Sequence, residues 1–409
     1  MTGAVKQPFT LVINRIRRGE VADWCVVAIA VSLPWSTSLT AFLIVLWLIA
    51  VIPILDIASL RRELMAPVGG LPVLLWGLAV VGMLWADVEW HERFGGLRSY
   101  HKLLLIPLLL VQFRRSERPR WVILGFLGSA LALLILSWLT PYPGFFGNPK
   151  ADVGIPVKDY ILQSGIFAIC ALGLLGQAVA WRTMRPQLAL AAVIVAAFFI
   201  ANIIYVATSL TTLVTIVILL LVFGFRQFGW KGMFTVAILG SALASLFWVS
   251  SPSVHDRVTR VVEEVRDYPA STAKTSAGLR LEFWKKSIEF VTTAPMIGHG
   301  TGTITTLFQR SAVGHTGLAA EVTGNPHNQI LAVAIQLGFL GVIALISMWI
   351  VHLALFSERT LVGWYGLIIV VSNFVGSLFN SHLFDFGQGW LYVFGVGVLG
   401  GVILKQKQV

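Results

Sequence analysis

The sequence predicts an all-α, polytopic membrane protein of about 12 transmembrane helices, with a long helical periplasmic segment between helices 9 and 10. Three observations carry that expectation. Of the 409 residues, 57% are hydrophobic and only 12% charged, with mean hydropathy +0.82, whereas a soluble domain carries about 25% charged residues. Apolar runs recur at the length a crossing needs, about 20 residues for roughly 30 Å of hydrocarbon. Basic residues gather on alternate short loops, as cytoplasmic loops do.

Taken in order, the apolar runs lie near 21–36, 38–56, 68–86, 96–113, 121–140, 160–181, 188–207, 209–225, 233–250, 327–352, 361–380 and 388–404. Lys6, Arg15, Arg17 and Arg18 precede the first run, which has no small-residue cleavage site, so a retained first helix is expected. Pro34 and Ser36 to Ser38 keep that helix short. The uncharged stretch from Leu188 to Phe225 would run about 57 Å as one helix, nearly twice the hydrocarbon thickness. It must therefore turn back, and Thr208, Ser209, Thr211 and Thr212 supply the polar break. Cys25 and Cys170 fall inside apolar runs, where packed thiols are expected.

Orientation follows from the short loops. Arg61, Arg62, Arg114, Arg115, Arg118, Arg120, Arg182, Arg185, Arg226, Lys231 and Arg359 fall on the same side as both basic ends of the chain. The opposite short loops hold only Arg93, Arg98, Lys102, Lys150 and Lys158. Both termini are accordingly expected in the cytoplasm. The net charge of +11 is then a feature of topology, and no nucleic-acid partner is expected. The chain divides into spans 1–9 over 1–250, an outer helical segment over 251–326 and spans 10–12 over 327–409. Every histidine except His352 falls on the outer side with that long segment, which points to a working site at the external membrane surface.

Within the outer segment, Val254, Val258, Val261, Val262 and Val265 recur at helical spacing between charges, the pattern of an amphipathic helix with one buried stripe. A second helix is expected from Ala277 to Thr292, with Leu279, Phe283, Trp284, Ile288 and Val291 inward. Arg280 stands four residues before Trp284, so both project toward one edge. Pro295, Gly298, Gly300 and Gly302 then form a tight turn. In Gly324-Asn325-Pro326-His327-Asn328, Asn as N-cap and Pro at the first helical position start a span, with His327 in its first turn. The helix dipole there favours a neutral imidazole able to accept a proton, and the free N–H groups can hold an anion. A polar anchor at the interface accounts for the same spacing.

Arg98, His101 and Lys102 stand at i, i+3 and i+4 in the outer half of the fourth span. Ionisable groups at that depth face a wet cavity, here as an anion cradle, or else snorkel to lipid headgroups. Lys150 and Lys158, in the loop from Pro141 to Tyr160, are either further anion contacts or part of a solvated loop. The outer acids form no Asp-x-Asp pair for a divalent cation. Gly-x-Ser-x-Gly, Walker and His-Glu-x-x-His motifs are also missing. Neither metal nor nucleotide cofactor is expected.

The order Arg280-x-x-x-Trp284, Pro295-x-x-Gly298-x-Gly300, His327-Asn328-x-x-Leu331, Gly338 and Gly341 resembles the O-antigen ligase and polymerase superfamily. The resemblance is strongest over about 275–345, and the twelve-span layout extends it across the chain. It implies glycosyl transfer on the periplasmic side of a Gram-negative inner membrane. The implied donor is a polysaccharide on undecaprenyl diphosphate, and the implied acceptor is a hydroxyl of the lipid A–core oligosaccharide. The family's chemistry is metal-independent and inverting. Its functional histidine falls on His327 and its loop arginine on Arg280, with Asp385 near a late acidic position. Asn325, Asn328 and Asp385 are expected as further contacts to the diphosphate or sugar. Two positions depart from it. Leu210 stands where many relatives carry an arginine, which makes Arg98 or Lys102 the candidate replacement, and Gln336 stands where an acid often follows the histidine. Rival readings are an O-antigen polymerase, a protein O-oligosaccharyltransferase or a twelve-span carrier of lipid-linked glycan. The long outer loop after span nine and the lack of a repeat between halves argue against the carrier.

Overall fold

The computed structural model describes residues 9–140, 153–268 and 274–408, and every secondary-structure element among them is a helix. In chain order they are α1 (Phe9–Ser32), α2 (Thr37–Val51), α3 (Ile57–Met65), α4 (Pro67–Gly82), α5 (Trp90–Arg98), α6 (Leu105–Phe113), α7 (Pro119–Leu139), α8 (Tyr160–Trp181), α9 (Pro186–Tyr205) and α10 (Leu210–Ser250). Residues 251–326 supply α11 (Pro252–Asp267), α12 (Ser276–Thr293) and α13 (Ile304–Ala312). The chain closes with α14 (Gln329–Leu355), α15 (Leu361–Ser377) and α16 (Phe386–Gln406).

Proline and polar caps explain most of these boundaries. Pro67, Pro119, Pro186 and Pro252 each open a helix, where the missing N–H costs nothing. Ser36, Asp56, Asp159 and Ser209 cap α2, α3, α8 and α10 by accepting a backbone N–H three residues on. The break between Tyr205 and Leu210 turns α9 back into α10, as the uncharged stretch requires.

Among the described residues eight helices are long and apolar enough to cross a membrane, or up to ten when each of two bent pairs forms one span. The expected count was twelve. The first expected span merges into α1, whose earlier turns carry Arg15, Arg17, Arg18 and Glu20. The eighth and ninth merge into α10, although that element is not a single rod. Gly229 has φ 64° and ψ −154°, and a Cβ built on Gly224 would lie 2.8 Å from Val236 Cγ2. Those two residues would stand about 18 Å apart along an unbroken helix, so α10 folds back on itself. Residues such as Phe234, Ile238, Leu243 and Val249 of its second half are exposed, as lipid-facing side chains are.

The two bent pairs, α3 with α4 at 81° and α5 with the run from His101 to Phe113 at 50°, also have local causes. Ala66 precedes a proline and is extended, at φ −81° and ψ 138°. Pro107 cannot donate to the carbonyl of Leu103, so it belongs in a first turn, and α6 starts anew at Leu105 after a 3-10 turn over His101–Leu104.

The core gathers around α16 and α6, where Trp47, Phe113, Trp349 and Tyr392 are buried together. Lipid tails are as apolar as these side chains, so close packing rather than expulsion from water must hold the helices. Gly397 and Gly401 allow it: a Cβ on either would come within 2.4 to 2.7 Å of Leu109 or Phe113. At the opposite end from His327, buried Glu63 pairs with Arg114 at 2.8 Å and ties α3 to the end of α6. Cys25 and Cys170 are free thiols, as expected.

Candidate active site

Helix α12 begins where expected, with Thr275 accepting from Gly278 N–H. Its inner face buries Phe283 against Phe308 of α13 and Ala332 and Ile335 of α14, which fastens α12 and α13 to the start of α14. Ile288, expected inward, is exposed. The edge shared by Arg280 and Trp284 meets the Asn325–Asn328 turn. Trp284 Nε1 donates to the carbonyl of His327 at 3.3 Å, and the Phe283 ring lies nearly parallel to the His327 imidazole, 6.2 Å between centres.

The glycine turn explains the position of α14. That helix is broken at Gly338, at φ 60°, which frees peptide groups on both sides of the break. His299 and Gly300 N–H donate to the carbonyls of Ile335 and Gln336, and Phe339 N–H donates to Pro295 O. Gln336, where relatives often carry an acid, accepts from Gly302 N–H at 2.9 Å and donates to Ala332 O at 2.9 Å. The residue is a structural tie between the turn and the helix.

His327 does not sit in the first turn of a helix. Asn328 rather than Asn325 is the N-cap of α14, accepting from Leu331 N–H, so His327 precedes the helix. The Asn325 side chain instead accepts the His327 N–H at 2.9 Å and holds a local turn. His327 has φ 54°, the left-handed region that non-glycine residues rarely occupy, and it is the only such residue among those described. Such strain persists only where surrounding bonds hold it and concentrates at functional sites.

The imidazole meets the loop between α15 and α16. His327 Nδ1 lies 2.9 Å from Asn380 Oδ1, which also accepts from Asn325 Nδ2 at 3.0 Å. Ser381 Oγ donates to Asn325 Oδ1 at 2.7 Å, and Asn380 Nδ2 donates to Asp385 Oδ2 at 2.8 Å. Asn328 Nδ2 donates to Leu378 O, and Gln329 Oε1 accepts from Leu383 and Phe384 N–H. His327 Nε2 has no hydrogen-bond partner among the described residues.

Electrostatics differ sharply across these few side chains. Burial lowers His327 below the ordinary imidazole value, the Asn380 bond opposes that shift, and the Arg280 charge adds to it. Burial, with Arg280 adding to it, takes neighbouring His382 down to about 4. Burial pushes Asp385 up to about 6, against the attraction of Lys102 and with Asp159 adding. Arg280 is partly buried and makes no hydrogen bond or ion pair among the described residues. Its field therefore falls on both histidines without a carboxylate to neutralise it.

Arg98, His101 and Lys102 do not share a helical face. α5 ends at Arg98, and the bend described above separates it from His101 and Lys102, neighbours in the 3-10 turn. Arg98 and His101 are exposed, and His101 Nδ1 bonds to Leu97 O. Lys102 is buried, donating to the carbonyls of Phe384 at 2.9 Å and Asp385 at 2.8 Å, so it is a strut for the α15–α16 loop. Lys158 donates to Leu33 O at 2.7 Å and stands over the Phe386 ring. Lys150 lies outside the described residues. Among those described, no three His, Cys, Asp or Glu side chains gather as a metal-binding group.

Asn380, in the run Asn380-Ser381-His382 before Asp385, and Gln329 carry no assigned role in the sequence alone. The only available signal for Asn380 was a polar cluster, Asn380-Ser381-His382 with Asp385, interrupting two apolar runs.

These features define a multi-pass membrane protein with a histidine- and arginine-bearing site at one end of its helix bundle. Residues 195–346 match the family model described as O-antigen ligase, so the resemblance to that superfamily holds in an independent comparison. The matched range includes Arg280, the glycine turn and His327 and stops before Asn380 and Asp385. No curated protein matches the chain.

Proposed function

We propose that this protein is an O-antigen ligase, a membrane glycosyltransferase that moves polysaccharide from undecaprenyl diphosphate to a sugar hydroxyl of lipid A–core at the periplasmic face of the inner membrane. The observation that supports it best is the pairing of a neutral, strained His327, its Nε2 free, with an uncompensated Arg280 inside the matched segment. The acceptor hydroxyl attacks the anomeric carbon from the face opposite the diphosphate, inverting it. Its proton passes to His327 Nε2 as the new C–O bond forms, general-base help of about 10²- to 10⁴-fold. The old C–O bond breaks with its electron pair on the diphosphate oxygen, where Arg280 meets the growing charge. Asn325 and Asn328 shape the turn that presents His327. Arg98, exposed and without an ion-pair partner among the described residues, replaces the family arginine absent at Leu210 and meets the donor.

The test is reconstitution of purified protein in vesicles with a lipid-linked glycan and lipid A–core, without nucleotide or added metal. A covalent glycan–lipid A product supports the reading. Growth of the lipid-linked glycan alone would mark a polymerase, and movement across the bilayer without a new bond would mark a carrier; either overturns the ligase assignment.

A further inference from the structure

The amide chain around His327 fixes which ring nitrogen carries the proton, beginning from a group whose identity is not open. A backbone N–H can only donate. His327 N–H therefore makes Asn325 Oδ1 an acceptor, which leaves Asn325 Nδ2 as the donor facing Asn380 at 3.0 Å. The Asn380 atom receiving it must be the carbonyl oxygen. The other end agrees, because Asn380 Nδ2 then faces the Asp385 carboxylate at 2.8 Å, whereas the flipped amide would set oxygen against oxygen there and nitrogen against nitrogen at Asn325. A carbonyl oxygen only accepts, so the His327 Nδ1 lying 2.9 Å from it must bear hydrogen.

From this geometry we infer that Asn380 is a positioning residue for the transfer reaction, holding His327 in the Nδ1–H tautomer so that the Nε2 lone pair faces the acceptor hydroxyl, with Asp385 and Lys102 anchoring Asn380 in turn. The inference rests on the general-base reading above. Asp385 polarises the Asn380 amide, which strengthens its carbonyl as an acceptor and favours the imidazolium formed when the hydroxyl proton arrives. Lys102 holds the peptide carbonyls of Phe384 and Asp385, so the carboxylate cannot drift from the amide. The arrangement joins the turn before α14, the α15–α16 loop and the turn before α6. Charged and titratable groups around it are Arg280 from α12, His382 and Asp385 from the α15–α16 loop, Lys102 before α6, and Asp159 before α8.

Two measurements test it. The first is the ¹⁵N spectrum of histidine-labelled protein in nanodiscs, with the His327 signals assigned by their loss in His327→Gln. Nδ1–H is expected in the native protein, and Asn380→Leu should shift the population toward Nε2–H. An Nε2–H tautomer in the native protein, or no shift in Asn380→Leu, overturns the proposal whatever the activity. The second is the pH profile of transfer. Asn380→Leu should lower kcat at least tenfold with little change in donor KM. The exchanged pair Asn380→Asp with Asp385→Asn places a carboxylate directly against Nδ1 while keeping the same number of donors and acceptors. It should recover activity relative to Asn380→Leu and move the acid limb up by about one unit or more. Loss of the Asn380 bond, which raises His327, should move the acid limb of Asn380→Leu to lower pH, and a limb left in its native place in that variant, or a native kcat, also overturns the proposal. If His327→Ala retains transfer, the base reading fails instead, and the spectrum still decides the tautomer.

Discussion

Replacing Arg280 with alanine should produce two separable effects, because its charge acts on two partners. The first is on the departing diphosphate. A charge-assisted contact to a desolvated phosphate contributes about 1.5–3 kcal/mol, so Arg280→Ala should slow transfer about 10- to 150-fold. No carboxylate among the described residues pairs with Arg280, so its loss strands no buried acid, and the fold should survive. The second effect is on His327. The Arg280 charge helps to hold the imidazole below its ordinary value of 6.5, and its removal lets that value rise. Transfer needs the neutral imidazole, which is lost as pH falls, so the acid limb of the rate profile should move to higher pH. Arg280→Lys should keep the limb near its native place and restore only part of the rate, since lysine lacks the planar fork. The assay is initial-rate transfer from lipid-linked glycan between pH 4.5 and 8 in reconstituted vesicles. An Arg280→Ala protein with native rate, or with its acid limb unmoved or shifted downward, would refute the reasoning.

In the native protein the acid limb should have its midpoint below 6.5, the direction burial and Arg280 give His327, and Asp385→Asn should make it less steep by removing a carboxyl held at about 6. EDTA should leave transfer unchanged, and a loss restored by magnesium would contradict charge stabilisation by arginine alone. Arg98→Ala should raise the donor concentration needed for half-maximal rate without altering acceptor dependence, and separate titrations decide it. Gly300→Ala should lower thermal stability in detergent by about 1–3 kcal/mol equivalent, because Gly300 has φ 96° and a Cβ there would stand 2.5 Å from Ala86 Cα; an unchanged melting point would mean that the turn tolerates a side chain.

The sequence carried the helical class, the hairpin at Thr208–Ser209, helix α12 to within a residue at each end, and the glycine turn. Each depends on spacing or residue type within a few turns of chain, where proline, glycine and apolar period act directly. The break between Arg98 and Leu105 was less visible. Pro107 and the polar stretch Arg98 to Lys102 were present to signal it, yet helical spacing of Arg98, His101 and Lys102 also fits one continuous helix. The placement of His327 depended on which of two asparagines capped α14, and the bond from Leu331 N–H to Asn328 settles that choice. Asn380 itself lies more than fifty residues from His327, so no local pattern connects them. Lys102 had the right charge for an anion site, but two carbonyls across the bundle had already claimed its ammonium.

Single-turnover transfer by His327→Ala tests the central claim most directly. With donor preloaded, acceptor in excess and folding checked by the unchanged elution and melting of the purified protein, the variant should form product at least a hundredfold more slowly than the native enzyme, with donor still bound. Product formation at the native rate would show that His327 does not take the acceptor proton, and the proposed mechanism would fall.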